Sequence, residues 1–351
     1  MDPTLGPILL DLEGLALTAE ERELLAHPAV GGVILFARNY ADPEQLRALT
    51  RAIRAATPRS LLVTVDQEGG RVQRLRAGFT ALPAPARLGA WYRQDPAAAC
   101  QAAADLAWLA ASELRAVDID LSFAPVLDLD HGRSAVIGDR AFAATPDAVC
   151  ALADAWCAGL RAAGMRACGK HFPGHGGVVE DSHHALPVDP RPLTELKRAD
   201  LVPFARLSPT LAAIMPAHVV YPAVDARPAG FAARWLQDLL RGQLGFAGAI
   251  VSDDLGMVAA RIADTPSARA HAALAAGCDL VLVCNDRAAA VTVIEEWPNL
   301  PDDPRAAARR AALRATPPPV AADPARRRRA LDFAVRLAAD ASPIAVAPPA
   351  L

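Results

Sequence analysis

No charge of either sign dominates this chain. Lys and Arg number 36 and Asp and Glu 39 over 351 residues, for a net charge of −3. That argues against a protein that binds nucleic acid through bulk charge. No apolar run approaches the roughly 18 residues of a membrane span. The opening Met1-Asp2-Pro3-Thr4 has no basic stretch followed by an apolar one, so no signal peptide is expected. The six cysteines, at 100, 150, 157, 168, 278 and 284, never fall in CxxC spacing. In a chain this long they read as reduced, mostly buried thiols of a cytosolic protein. No repeat of about 20–50 residues is present beyond a β/α alternation. No GxGxxG follows the first candidate strand, which weakens the case for an open dinucleotide-binding sheet.

What is present is core-forming material. Apolar residues make up 53% and charged residues 21%, enough for a large core and against global disorder. Short runs that are apolar at successive positions mark candidate strands at 8–12, 32–36, 61–65, 121–126, 167–171, 212–215, 249–252 and 280–283. Runs of that kind suit parallel strands covered on both faces. Helical periodicity fills the intervals, most plainly over 96–117, 194–204 and 232–244, the last stopping at Gly245. Eight β/α alternations predict a single closed (β/α)8 barrel of the TIM type over residues 1–298. Residues 299–351, rich in Pro, Ala and Arg, are expected to form a C-terminal extension that packs on the barrel or trails from it. A helix is predicted over 323–339, and its Arg326–Arg329 run reads as a solvated helix face rather than a binding patch.

In a barrel of this kind, polar residues just after a strand line the catalytic mouth. Charge is concentrated there: Asp66-Gln67-Glu68 and Arg71 to Arg74 after the third strand, Asp128 and Gly138-Asp139-Arg140 after the fourth, His218 after the sixth. The fifth loop is densest. His171, His175, His183 and His184, four of the eight histidines, fall within fourteen residues, around Gly174, Gly176 and Gly177. Such a loop is mobile and free to take positive φ. Two chemistries fit the cluster. One is metal binding, which here lacks further ligands at helical spacing. The other is proton transfer, with Asp181 orienting His183. The seventh strand ends in Asp253-Asp254. Neighbouring strand residues point to opposite sides, so one of them faces the mouth squarely. A lone carboxylate there suits a covalent nucleophile in glycosyl transfer.

The ordered blocks carry a resemblance. Lys170-His171-Phe172-Pro173-Gly174-His175-Gly176 with Asp181-Ser182-His183 closely resembles the signature of family 3 glycoside hydrolases of the N-acetyl-β-glucosaminidase branch. Asp66 to Val72, Gly138-Asp139-Arg140-Ala141-Phe142, Met215-Pro216-Ala217-His218 and Ser252-Asp253-Asp254-Leu255-Gly256-Met257 look like its other blocks, in order. The similarity spans about residues 6–290, in the short single-barrel form of Gram-negative bacteria. Ala141 stands where many relatives have Ser, and His184 directly follows His183.

The resemblance implies a retaining exo-β-N-acetylglucosaminidase of peptidoglycan recycling in the cytoplasm. Its substrates would be fragments in which N-acetylglucosamine is linked to 1,6-anhydro-N-acetylmuramyl peptides. It implies Asp253 as nucleophile, His183 as general acid/base, and Asp181 orienting His183. It implies Asp66, Arg74, Arg140, Lys170 and His171 as holders of the terminal sugar. No cofactor or metal is implied, and no nucleic-acid or membrane partner; a monomer or weak dimer is expected. A histidine base, unlike a carboxylate, does not repel phosphate, so phosphorolysis by the same residues is the alternative chemistry. Asp128 and His218 are expected to support the site. His175 is expected to steady the loop, and Glu68 to be structural.

Overall fold

The structure, a computed structural model, describes residues 4–182, 184–297, 304–317 and 323–339. Eight parallel strands form the barrel: β1 (Ile8–Asp11), β2 (Val30–Leu35), β3 (Leu62–Val65), β4 (Leu121–Ser122), β5 (Cys168–Phe172), β6 (Ala213–Pro216), β7 (Ala249–Asp254) and β8 (Leu280–Val283). Consecutive strands pair from β1 to β4 and from β5 to β8, and β8 pairs with β1. Single parallel bridges at Leu121–Arg166 and Val126–Lys170 close the ring between β4 and β5. This is the TIM-type (β/α)8 architecture that the alternation predicts.

β4 is shorter than its apolar run. Pro125 has no N–H to donate, so the regular ladder stops before it. Contact with β5 continues past it: the Ala124 and Pro125 carbonyls accept the Cys168 and Lys170 N–H groups at 2.8 and 3.3 Å, and Leu127 N–H donates to the Lys170 carbonyl at 2.6 Å. At β7 the strand runs further than the apolar run, carrying Asp253 and Asp254 on its last two positions.

Many of the prolines have one use. Pro43, Pro85, Pro96, Pro146, Pro266, Pro304 and Pro324 each open a helix. There a missing N–H costs nothing and φ is already helical. Asp42, Asp95 and Thr265 cap three of these helices through their side chains. Proline also explains a departure from expectation. The segment predicted as one helix over 194–204 is two, Leu193–Arg198 and Leu201–Leu207. In an unbroken helix the Pro203 ring would strike the carbonyl four residues back, at Ala199. The break places Asp200 in the interior, where it meets His131 Nε2 at 2.9 Å and Arg191 at 2.8 Å. The segment read as helix 232–244 is wound as a π-helix over Arg234–Gln243, and Gly245 ends it at φ +67°.

Helices Pro304–Ala311 and Pro324–Ala339 lie against the barrel. Buried Arg310 donates to the Leu5 carbonyl at 2.8 Å, and Arg309 pairs with Asp279 at 2.6 Å. In the last helix the basic run is not simply a solvated face. Arg326 and Arg329 both reach the buried Asp105 of helix Pro96–Arg115, at 2.7 and 2.8 Å, and no other cation pairs with that carboxylate among the described residues. Phe333 and Arg336 pack on Trp91.

Candidate active site

The C-terminal ends of the strands surround a cavity of about 360 Å3. Asp66, Glu68, Arg74, Arg140, Lys170, His171, Asp181 and Asp253 all line it. These residues come from the ends of β3, β5 and β7 and from the long segments after β4 and β5, 187 positions apart at the extremes. His183 lies outside the described residues.

One wall is an ionic cage. Lys170 is buried, and its ammonium contacts Asp66 at 2.8 Å and Glu68 at 2.6 Å. Glu68 accepts a two-pronged pair from Arg140, with both N–O distances 2.8 Å. Asp66 also meets Arg74 at 3.6 Å. Burial penalises the charges of Glu68, Arg140 and Lys170, but their partners outweigh it. Arg140 and Lys170 hold Glu68 far below the usual carboxylate range, and Asp66 and Glu68 push Lys170 up. Glu68, Lys170 and Arg140 therefore stay charged at neutral pH, with donors and acceptors held at fixed positions on the cavity wall.

Asp128 is the hub of the next wall. It accepts from His171 Nδ1 at 2.6 Å, from the His171 backbone N–H at 3.2 Å and from the His175 backbone N–H at 2.7 Å. The Asp128 carboxyl lies below its ordinary value, because His171 and these hydrogen bonds outweigh the cost of burial. Asp128 thus orients His171 and pins the start of the fifth loop. His175 Nε2 contacts Ser182 Oγ at 3.1 Å, tying the two ends of that loop together. Of the three loop glycines, only Gly174 takes positive φ, at +140°. Gly176 is required for another reason: a Cβ there would stand 1.8 Å from the Leu129 carbonyl oxygen.

The opposite wall carries the tandem acids. Asp253 Oδ1 accepts the Asp254 backbone N–H at 2.8 Å. Among the described residues Asp253 makes no ion pair, whereas Asp66, Glu68 and Asp128 are each held within 2.8 Å by a cation or imidazole. Burial opposes its charge, but His171, His218, the Asp254 N–H and Lys170 prevail and keep the carboxyl below its ordinary value. Asp254 behaves oppositely. Burial and the neighbouring Asp253 charge raise it to about 6, against the hydrogen bonds it accepts. Those bonds come from Gly256 N–H at 2.9 Å and Cys284 N–H at 3.1 Å, a turn-forming role. Two adjacent carboxyls with divergent environments are a mark of divided labour.

His218, buried and stacked on Phe231 at 5.2 Å, contacts the Asp254 carbonyl at 3.2 Å and is lowered by burial. Three cavity neighbours carry no motif signal in the sequence. Asp11 accepts the Asn285 N–H at 2.7 Å and pairs with Arg38. Arg38 in turn lies 4.6 Å over Phe36 and donates to Asn285 Oδ1 at 3.0 Å. Among the described residues no group of three His, Cys, Asp or Glu is arranged to hold a metal ion.

A family model described as the N-terminal domain of glycosyl hydrolase family 3 matches residues 8–303. The chain is 57% identical over 296 residues to a beta-hexosaminidase of Alkalilimnicola ehrlichii, covering 84% of this chain and 85% of the relative. It is 57% identical over 285 residues to a beta-hexosaminidase of Pseudomonas aeruginosa, covering 81% and 84%. The crystal structure of NagZ from Neisseria gonorrhoeae superposes with a TM-score of 0.90 at 44% identity, covering 96% of this chain and 99% of that one.

Proposed function

The chain belongs to glycosyl hydrolase family 3 and is a β-hexosaminidase-type glycoside hydrolase, and on that premise we propose that it removes terminal N-acetylglucosamine with retention, by way of a glycosyl-enzyme. One observation carries the reading: Asp253 is the cavity carboxylate that is held ionised yet left without an ion-pair partner among the described residues. A nucleophile needs both properties, whereas a structural carboxylate is engaged as Glu68 is.

In the first step an Asp253 oxygen forms a bond to the anomeric carbon as the bond to the leaving oxygen breaks. His183, as imidazolium and oriented by Asp181, gives its proton to that oxygen. In the second step neutral His183 takes a proton from water, water oxygen bonds the anomeric carbon, and the ester to Asp253 breaks. Asp66, Arg74, Arg140, Lys170 and His171 bind the hydroxyls of the terminal sugar. The cage supports this role, since it offers charged donors and acceptors at fixed positions without ligand. The leaving group is a 1,6-anhydro-N-acetylmuramyl peptide, which places the reaction in peptidoglycan recycling in the cytoplasm.

Proton NMR of an aryl N-acetyl-β-glucosaminide, turned over in millimolar phosphate, tests the chemistry. The β anomer of free N-acetylglucosamine is expected first. The α anomer first would overturn retention, and a sugar 1-phosphate would overturn water as the acceptor.

A further inference from the structure

A second cavity, of about 620 Å3, opens beside the catalytic one, between the segments that follow β7 and β8. The two cavities share Asp254, Cys284 and Asn285 as a common wall. Asp253 is thus one residue from a space that the chemistry above does not use. The volume is in the range of about 300–1,000 Å3 that accepts a compact organic ligand.

The charged side chains of this second cavity are Arg261 and Arg269 on one side of the balance and Asp254, Asp264 and Asp286 on the other. Two of the three acids are engaged. Asp286 accepts the Ala289 N–H at 2.9 Å as a helix cap. Asp254 accepts two backbone N–H groups and contacts the Asn285 amide at 3.4 Å. Asp264 is exposed. Both arginines keep guanidinium donors unused. Half-buried Arg269 donates to the carbonyls of Leu255, at 2.8 Å, and Thr265, at 3.5 Å, and makes no ion pair among the described residues. Exposed Arg261 makes no side-chain hydrogen bond or ion pair there at all. Both guanidiniums line the same cavity; burial and the Arg261 charge lower Arg269, while Asp286 and Asp254 raise it. Two mutually repelling guanidiniums with free donors on a cavity wall suit a planar oxyanion, which guanidinium binds through paired hydrogen bonds.

We infer that this second cavity is the leaving-group subsite, and that Arg261 and Arg269 take a carboxylate borne by the aglycone. The inference rests on the proposed function, because it assigns the leaving group of that same hydrolysis. It makes the enzyme selective for glycosides with an acidic aglycone, through a contact remote from the bond that breaks.

The test uses two aryl N-acetyl-β-glucosaminides whose ring carries an Ala-Glu tail, one as free acid and one as diamide. The bond cleaved is the same and only the charge differs. The protein is expected to favour the acid by about ten-fold in kcat/KM, mainly through KM. Arg261→Glu is expected to remove that preference while leaving the diamide within about two-fold of its original rate. Equal loss on both substrates, or a preference that persists, overturns the subsite. Calorimetric titration of the tailed phenol alone separates this inference from the reaction. Binding that depends on Arg261, without hydrolysis of either glycoside, keeps the subsite and overturns the proposed function. Hydrolysis together with equal binding of the tailed phenol to both proteins does the reverse. Inorganic phosphate that binds as tightly as the tailed phenol would make free phosphate the occupant and overturn the aglycone assignment.

Discussion

The two ends of the barrel use the same cations differently. At the end where the strands begin, arginines terminate the main chain. Arg59 donates to the carbonyls of Leu25, His27, Pro28 and Val30 at 2.7–3.1 Å. Arg310 reaches Leu5 and Asp279 carbonyls, and Arg241 those of Phe246 and Gly248. These bonds satisfy backbone groups that no ladder reaches, and they need no ligand. The carboxylate gripped at that end, Asp279 by Arg241 and Arg309, is buried and itself accepts the Ile250 N–H; where the strands end, Lys170 and Arg140 grip carboxylates around an open cavity. At one end the charges hold the chain, at the other they shape the wall of an open cavity. Barrel enzymes divide stability and chemistry between their faces in the same way.

Substitutions on the two faces should therefore separate. The largest effect is expected from Asp253→Asn, with kcat falling on the order of 10^4-fold or more and the melting temperature nearly unchanged, since Asp253 supports no ion pair among the described residues. Turnover and melting curves measure both; activity within about ten-fold of the original would remove Asp253 from the nucleophile's role.

Glu68→Gln leaves Lys170 and Arg140 buried with one counter-charge fewer, and should cost about 3–5 kcal/mol in chemical denaturation. The sign with pH follows. Burial disfavours the Glu68 anion, but its cations hold the folded carboxyl below the ordinary 4.5. Its stabilisation is full above that value and is lost as pH falls, so the gap between the two proteins should narrow in acid.

Arg59→Ala, on the opposite face, should cost about 1–3 kcal/mol of stability with kcat/KM of the folded protein unaltered. A specific loss of activity per folded molecule would break the division between the faces.

The smallest effect belongs to Asp254→Asn. Burial raises the folded carboxyl to about 6, above its ordinary 3.8, so that its contribution is full at low pH and is lost as pH rises through 6. Asparagine keeps the acceptor for Gly256 and Cys284. The variant should therefore gain stability over the original as pH rises from about 4 to 6, by about 1 kcal/mol after solvent screening. A constant difference across that range would mean that Asp254 does not titrate there.

The barrel was legible because each strand is a short apolar run and each helix a longer periodic one, and these are local signals. The strand ends were less so. Pro125 cut β4 short, and Pro203 divided a helix whose periodicity runs through it. The candidate site was legible where charge gathered after strands: Asp66, Lys170, His171 and Asp253 meet around one cavity. Asp11, Arg38 and Asn285 were not, since a lone polar residue after a strand has no pattern until its neighbours are known. The Arg326–Arg329 run shows the same limit, its partner Asp105 lying more than two hundred positions away.

Taken alone, the sequence determined the architecture, the face on which chemistry gathers and the residue types available there, because periodicity and strand-end charge are properties of neighbouring positions. The tertiary structure decided which charges are spent and which are left over. It set Asp253 without an ion-pair partner among the described residues beside an engaged Asp254, and opened a second cavity behind them. Those outcomes depend on burial and on partners brought together by barrel closure, which no local stretch of chain encodes.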